Sequence, residues 1–197
     1  FLVCNGYITR QITFGRVVVR RESTMEDMVI DHFWKDRKVL VTGHTGFKGS
    51  WLVLLLKQLG AETFGYALDP ETKPSLFVEA DLVKSCHHKV ANIKDGKRLI
   101  EHVQSIQPEV VFHLAAQPLV RRSYEEPVET WKTNVLGTVN LLESLRTIKL
   151  RCAVVIITTD KVYENNEWHY GYRETDQLGG HDPYSSSKAA VELAVAS

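Results

Sequence analysis

The chain has 197 residues, of which 44% are hydrophobic and 24% are charged, a composition typical of a globular domain. Its 24 basic residues balance its 24 acidic residues, so we expect neither a nucleic-acid partner nor a membrane partner. Three cysteines at irregular positions indicate neither a disulfide framework nor a zinc site, and the eight histidines form no ligand pattern. We therefore expect no metal and a cytoplasmic location with reduced thiols.

The two ends of the chain differ from its middle. Residues 1–24 have no hydrophobic period that continues into the following segment, and they lack the pattern of a signal peptide. We interpret residues 1–30 as a non-native or disordered extension. The last segment, KAAVELAVAS, has a helical pattern but stops without a cap or a glycine. We therefore predict that residues 31–197 are one domain of a longer protein whose carboxy-terminal portion is missing.

From residue 38 onward, short apolar runs alternate with segments of helical period. The predicted elements are, in chain order, strand 38–42, helix 47–60, strand 62–68, helix 96–106, strand 109–116, helix 125–148, strand 152–159 and helix 183–196. Strands that are apolar on both faces and separated by helices are typical of a parallel sheet that is covered on both sides. The pattern predicts a doubly wound α/β fold.

Three glycines follow the first predicted strand and open the first helix. Gly43, Gly46 and Gly49 have GxxGxxG spacing, which suits a tight turn, close approach of a diphosphate to bare backbone, and anion binding by free N–H groups. Asp69 lies 20 positions after Gly49, where a carboxylate would accept from an adenosine ribose hydroxyl and favour NAD over NADP. The alternatives are a flexible turn for the glycines and a turn residue before Pro70 for Asp69.

Tyr184 and Lys188 lie four positions apart, so a helix places both on one face. A tyrosine with an ordinary pKa near 10 is a poor base at neutral pH. A nearby ammonium and a nicotinamide cation would favour the phenolate and lower the pKa of Tyr184. The alternative is an ordinary pair of surface side chains.

Four motifs together resemble the extended short-chain dehydrogenase/reductase (NAD-dependent epimerase/dehydratase) family: GxxGxxG at 43–49, HLAAQ at 113–117, TN at 133–134 and YxxxK at 184–188. Longer segments are more specifically similar to its CDP-glucose 4,6-dehydratases, namely VTGHTGFKGSWL, HLAAQPLVRRSYEEP, TTDKVYENNEW and GYRETDQLGGHDPYSSSKAA. The resemblance covers about residues 33–197. It implies a Rossmann-like NAD-binding domain, a missing carboxy-terminal substrate-binding portion, and a homodimer or higher oligomer.

The resemblance also implies a reaction. Such an enzyme converts CDP-glucose to CDP-4-keto-6-deoxyglucose, a precursor of deoxysugars in surface polysaccharides such as O-antigen. It takes a hydride from C4 onto NAD⁺, eliminates water across C5 and C6, and returns the hydride to C6. By resemblance, Thr159 hydrogen-bonds the C4 oxygen, Tyr184 takes its proton, and Lys188 supports Tyr184 and holds the nicotinamide ribose.

The elimination needs an additional acid and base. By resemblance, Asp160 protonates the departing hydroxyl. Lys161 stands where dehydratases for other nucleotide-sugars carry glutamate, and it is expected to remove the C5 proton if desolvation or a neighbouring cation lowers its pKa. The alternative for Asp160 and Lys161 is a solvated pair at a turn.

Further residues are implied by the same resemblance. The expected cofactor-binding set is Gly43, Thr45, Gly46, Phe47, Gly49, Asp69, Asn92, Ile93, Leu114, Ala115, Ala116, Asn134, Tyr184 and Lys188. Asn92 replaces the aspartate that is usual in the family, and Asn134 is expected to brace the active-site backbone. Arg121 and Thr159 are expected to bind substrate. The alternative for Arg121 is that it forms, with Arg122, a solvated pair of arginines at the surface. The candidate dimer contacts are Trp131, Val135, Val139 and Val191, of which some must instead face the sheet.

Two other functions stay open. One is a different nucleotide-sugar dehydratase or an epimerase of the same family, although an epimerase needs no acid at residues 159–161 for a departing hydroxyl. The other is a fragment that binds NAD and turns over nothing.

Overall fold

The computed structural model describes residues 33–197 and, as backbone strands only, residues 2–4 and 7–8. The predicted extension at residues 1–30 lies outside the described residues apart from these two strands. None of the helices in the described part of the chain has the length and apolarity needed to cross a membrane.

Seven strands form one sheet. They are β1 (Leu2–Cys4), β2 (Tyr7–Ile8), β3 (Lys38–Thr42), β4 (Glu62–Ala67), β5 (His87–Val90), β6 (Val110–His113) and β7 (Ala153–Ile156). The spatial order is β2-β1-β7-β6-β3-β4-β5. The strands from β7 to β5 pair in parallel, whereas β1 pairs antiparallel with both β7 and β2. The strand order reverses beside β3, as in doubly wound folds, so the predicted Rossmann-like fold is confirmed.

The helices are α1 (Phe47–Gln58), α2 (Leu76–Glu79), α3 (Gly96–Ile106), α4 (Val120–Glu125), α5 (Pro127–Trp131), α6 (Gly137–Arg146) and α7 (Pro183–Ala196). Short 3₁₀ turns occupy Leu82–Ser85 and Asp160–Val162, and a π-helical segment at Lys132–Leu136 joins α5 to α6. The predicted bounds of α3 and α7 match the structure, while the predicted strands extend up to three residues too far at their carboxyl ends.

The helix predicted over 125–148 runs in the structure from Pro127 to Arg146, because α5, the π-helical segment and α6 follow one another without a break; it begins and ends two residues inside the predicted bounds. Glu126 has φ −129° and ψ 60°, outside the helical region, and it separates α4 from α5. The reason is Pro127, since the proline ring disfavours helical geometry in the residue before it. Proline itself is accepted at the first position of α5, where its missing N–H has no helical partner to lose.

The side chains of β3 alternate between two core layers. Val39 and Val41 pack on one face with Leu56 of α1, and Leu40 packs on the other face with residues of α3, α6 and α7. All four side chains are buried, and burying a side chain of this size contributes roughly 1.5–3 kcal/mol. The sheet is thereby held between two helical layers.

Candidate functional site

The structure brings the predicted site residues to the carboxyl edge of the parallel sheet. The connection after β3 carries the three glycines, and Asp69 and Asn92 follow β4 and β5. Leu114–Ala116 follow β6, and Thr159–Lys161 follow β7. Because parallel strands end at the same edge, segments far apart in the sequence meet there, which is where ligands bind in doubly wound sheets.

The glycine loop leaves no room for side chains at two positions. Gly43 has φ +72°, and a Cβ there would lie 2.7 Å from the backbone nitrogen of Ala115. A Cβ on Gly49 would lie 2.3 Å from the carbonyl oxygen of Gly43. Gly46 begins α1 without a side-chain cap on the first helical turn. Bare backbone and the uncapped, positive end of a helix together suit an anionic group.

Side chains of the loop tie it to β4 and β5. The Thr45 hydroxyl donates to the carbonyl oxygen of Leu68 at 2.8 Å, and Asp69 follows as an exposed residue. The buried His44 ring lies 2.6 Å, nitrogen to nitrogen, from His88. Burial, and secondarily His88, lowers the pKa of His44 to about 3. The ring is therefore neutral and holds the loop from beneath, whereas the Phe47 side chain is 72% exposed.

Asn92 and Ile93 have different surroundings. The Asn92 carboxamide oxygen accepts from the backbone nitrogen of Lys94 at 3.0 Å, a local turn that asparagine and aspartate both make. Ile93 is buried, and a Cβ on Gly137 would lie 2.7 Å from its side chain. Asn92 thus retains the turn-forming contact at this strand end.

Asp182 fixes the start of α7 and with it the position of Tyr184. Its carboxylate accepts from the backbone nitrogen of Ser185 at 2.9 Å and from the Ser185 hydroxyl at 2.6 Å. Pro183 occupies the first helical turn. Capping of this kind sets the direction in which the first turn presents its side chains.

Thr159 connects Tyr184 to Asp160. The Thr159 hydroxyl donates to the Asp160 carboxylate at 3.0 Å, and it lies close enough to Tyr184 to lower the pKa of the phenol. Burial raises the pKa of Tyr184; the Thr159 hydrogen bond lowers it, while Asp160 and Asp182 add to the rise. The sequence predicts a lowered pKa for Tyr184. In the chain alone the pKa is raised instead, because burial of the phenol is the largest influence on it.

Lys188 is buried one helical turn beyond Tyr184. Its Nζ donates to the carbonyl oxygen of Ile157 at 3.0 Å, at the end of β7. Burial lowers the pKa of Lys188 to about 8, and Glu192 opposes that shift. Asp160 and Lys161 are exposed, so the described residues do not provide the desolvation that a base role for Lys161 requires.

Asn134 lies in the π-helical segment and joins three parts of the site. Its carboxamide oxygen accepts from the Gln117 backbone nitrogen at 2.8 Å. Its amide group donates to the Gln117 carbonyl oxygen at 3.2 Å and to the Ser187 hydroxyl at 2.9 Å. The Gln117 side chain in turn donates to Thr130 at 2.8 Å. π-Helical turns occur frequently at functional sites, and here one aims a buried amide at the strand end after β6.

Several of these residues have no role in the sequence interpretation. Gln117 and Ser187 sit inside the quoted motifs, which is the only signal that could have selected them. His113, also within a motif, is buried, and its ring nitrogens lie 2.7 Å from the Thr42 hydroxyl and 2.9 Å from the Thr138 hydroxyl. Burial, with a smaller effect of Lys188, lowers the pKa of His113 to about 3.

The remaining predicted residues lie at the surface or in the core. Arg121 is exposed, whereas Arg122 donates to Glu126 at 2.8 Å and to Glu71 at 3.3 Å. Val191 is buried in the core, so it is one of the candidate residues that face the sheet and it is not a dimer contact. Within the described residues, no group of three or more His, Cys, Asp or Glu side chains is arranged to hold a metal ion.

A family model described as GDP-mannose 4,6 dehydratase matches residues 40–197. The chain belongs to the extended short-chain dehydrogenase/reductase family. A CDP-glucose 4,6-dehydratase of Salmonella typhimurium is 52% identical over 84% of this chain and 46% of its own length. A CDP-paratose 2-epimerase of Salmonella typhi is 31% identical over 79% of this chain and 51% of its own length.

Solved structures of the family share this fold. The UDP-glucose 4-epimerase of Thermus thermophilus, solved as a complex with NAD, superposes with a TM-score of 0.69 and 29% identity. That match covers 81% of this chain and 50% of the epimerase. The chain therefore spans about half the length of the relatives it matches.

Proposed function

We propose that the chain is the NAD-binding part of a nucleotide-sugar 4,6-dehydratase that acts on CDP-glucose. The observation that carries this proposal is the contact chain from Tyr184 through Thr159 to Asp160 at the carboxyl edge of the sheet. It brings a phenol and a carboxyl group together at this edge. The 52% identity to a CDP-glucose 4,6-dehydratase supports the choice of substrate.

The residues of the loop fit a dinucleotide. Backbone without side chains at Gly43 and Gly49, together with the uncapped start of α1, suits a diphosphate. The exposed carboxylate of Asp69 at the end of β4 suits a ribose hydroxyl, which favours NAD. NAD, when bound, supplies hydride acceptance at C4 of the sugar and hydride return at C6.

The chain's own residues supply the proton transfers. Tyr184 removes the proton of the C4 hydroxyl, and Thr159 orients that hydroxyl by a hydrogen bond. The ammonium of Lys188, one helical turn beyond Tyr184 on α7, favours the phenolate form of Tyr184 during the reaction. The same ammonium would hold the nicotinamide ribose when NAD is bound.

The elimination of water needs an acid, and Asp160, beside Thr159, supplies it. Asp160 protonates the C6 hydroxyl as it leaves, and its exposed position lets a sugar reach it. Lys161 removes the C5 proton, which the neighbouring 4-keto group acidifies. Exclusion of water by bound substrate and the remainder of the protein favours loss of a proton from its exposed ammonium, and the neutral amine then acts as the base.

The assembly is a homodimer formed by the surface of α5, the π-helical segment and α6. The exposed apolar side chains of this surface are Val128, Trp131, Leu136 and Val139. Contiguous apolar surface of this kind is typical of an interface between proteins. Analytical ultracentrifugation tests the proposal: a dimer is expected for the chain, and a dimer that persists in Trp131→Glu would contradict this surface. The cytoplasmic location stays a prediction.

The substrate is tested with the product of the full-length gene, because the chain spans about half the length of its relatives. Mixed with NAD⁺ and CDP-glucose, it is expected to form a 4-ketosugar, detected by its absorbance in alkali. The same assay with dTDP-, GDP- and UDP-sugars is expected to give little product. A product from another sugar nucleotide would instead indicate a different dehydratase, and epimerised sugar without a keto product would indicate an epimerase.

The half-length match favours a second candidate for the chain itself, a domain that binds NAD without turnover. Isothermal titration with NAD⁺ and the turnover assay, run on residues 1–197 beside the full-length product, separate the two. Binding without product in the chain supports the second candidate, and equal turnover in both contradicts it.

A further inference from the structure

Glu192 is a buried acid that none of the proposed proton transfers uses. It lies on α7, one helical turn beyond Lys188, and the two residues are 8% and 6% exposed. Burial of a charged group costs several kcal/mol unless it is paired and hydrogen-bonded. The position of Glu192 at the carboxyl edge of the sheet therefore calls for partners and for a role.

Both charged side chains hold the end of β7. The Thr158 hydroxyl donates to the Glu192 carboxylate, and Lys188 Nζ donates to the carbonyl oxygen of Ile157 at 3.0 Å. Ile157 and Thr158 are consecutive and immediately precede Thr159. A carboxylate and an ammonium from one helix thus hold the two residues that lead into the 3₁₀ turn of Asp160.

Few other charges face this pair. On β6, His113 is neutral because burial lowers its pKa to about 3. Beyond the 3₁₀ turn, the pKa of Tyr163 is raised by burial first, then by Glu174, Glu192 and Asp176. The π-helical segment contributes the uncharged Asn134. Among the charges acting on Lys188, Glu192 is the one that favours its ammonium form.

We propose that Glu192 is a positioning residue: it pairs electrostatically with Lys188 and, through Thr158, holds the strand end of Thr159 and Asp160 against the helix of Tyr184. The kinetic part of this inference rests on the proposed function. Its electrostatic part concerns Lys188 alone and needs neither substrate nor turnover.

The electrostatic part is tested by NMR titration of Lys188 through its ¹⁵Nζ and ¹³Cε resonances in the 197-residue chain. Glu192→Gln keeps the size of the side chain and an acceptor for Thr158 but removes the charge. The midpoint of Lys188 is expected to fall by about one pH unit, because an opposite charge near the ammonium favours its charged form. Glu192→Asp is expected to restore most of the shift.

An unchanged midpoint in Glu192→Gln would overturn the proposal. The matched control is Glu143→Gln, which removes an exposed carboxylate that pairs with Arg146 on α6. If Glu192→Gln does not fold, Thr158→Val provides a second test, because it removes the hydroxyl that holds the Glu192 carboxylate in place. The Lys188 midpoint is then expected to fall, and an unchanged midpoint would overturn the proposal.

The positioning part is tested with the full-length gene product and CDP-glucose. In Glu192→Gln the alkaline limb of the plot of kcat against pH is expected to move to lower pH, while KM changes less than twofold. An unmoved limb in an active enzyme overturns the positioning role. Absence of turnover in all variants and in the wild type, with the Lys188 midpoint shifted as expected, overturns the proposed function and leaves the electrostatic pairing standing.

Discussion

The two halves of the site are built by different means. At the glycine loop, backbone packs on backbone: Gly43 contacts the segment after β6, and Gly49 contacts Gly43 itself. At the catalytic end, buried side chains from separate helices, such as Asn134 and Lys188, hold the strand ends. The glycines of the first half lie within seven consecutive residues, 43–49, although the loop packs against the segment after β6. The second depends on segments that are far apart in the sequence, and its acid and base remain exposed.

Removing the phenol oxygen at the catalytic end should have the largest effect. Tyr184→Phe in the full-length protein is expected to lower kcat on CDP-glucose by about 10²- to 10⁴-fold, the usual contribution of a positioned acid or base. Isothermal titration is expected to give nearly unchanged NAD affinity. Tyr124→Phe, at an exposed tyrosine on α4, is the control and should retain activity. A fully active Tyr184→Phe enzyme would remove Tyr184 from the mechanism.

A methyl group in the glycine loop tests the other half. In Gly49→Ala the new Cβ would lie 2.3 Å from the Gly43 carbonyl oxygen, so the helix must move away from the strand. We expect a loss of about 3 kcal/mol or more in the free energy of unfolding, measured by urea denaturation. Gly46→Ala is the matched control, because its Cβ would meet the same oxygen at 3.4 Å and its φ of −74° suits alanine. Equal losses in both variants would contradict this account.

The buried network at the catalytic end should be less costly to disturb. Asn134→Asp keeps the acceptor for Gln117 but loses the donor to Ser187 and buries a carboxylate. The expected loss is about 2–3 kcal/mol of unfolding free energy, also measured in urea. Asn165→Asp changes an exposed residue in the same way and should stay within about 0.5 kcal/mol of the wild type. A neutral Asn134→Asp would mean that the network is dispensable.

Each half of the site contains one buried, neutral histidine. The change in unfolding free energy that each causes per pH unit is the smallest of the effects expected here. The pKa values of His44 and His113 are about 3 in the folded chain, against about 6.5 in an unfolded chain. The unfolded state therefore binds more protons, so this stability is complete above pH 6.5 and falls as the pH decreases towards 3. Each histidine should contribute about 1.4 kcal/mol per pH unit in that window.

Urea denaturation at a series of pH values measures that slope. His113→Gln is expected to reduce the slope by about 1.4 kcal/mol per pH unit, the contribution of one histidine. His169→Gln, at an exposed position, should leave the slope unchanged. A wild-type unfolding free energy that does not vary between pH 6.5 and pH 4 would contradict the neutral, buried state of both rings.

The sequence predicts best what local signals determine. The glycine spacing, the apolar run of β3 and the helical pattern of α7 indicate the loop, the first strand and the last helix at their observed positions. β5 was not predicted as an element, because its residues, HHKV, lack an apolar pattern. The contacts of Asn134 were equally out of reach, since Gln117 and Ser187 lie 17 and 53 positions away. Burial of Val191, too, depends on how α7 meets the sheet, which periodicity alone does not settle.

The widened turn at Lys132–Leu136 adds a residue to a helix that otherwise runs from Pro127 to Arg146. Successive residues of a regular α-helix are about 100° apart around its axis, and a π-helical turn spreads one more residue over about the same rotation. Deleting one residue here would therefore let the chain run on as an ordinary helix and leave Gly137, Thr138 and Leu141 buried as they are. Such a deletion would separate the placement of the Asn134 amide from the packing of α6.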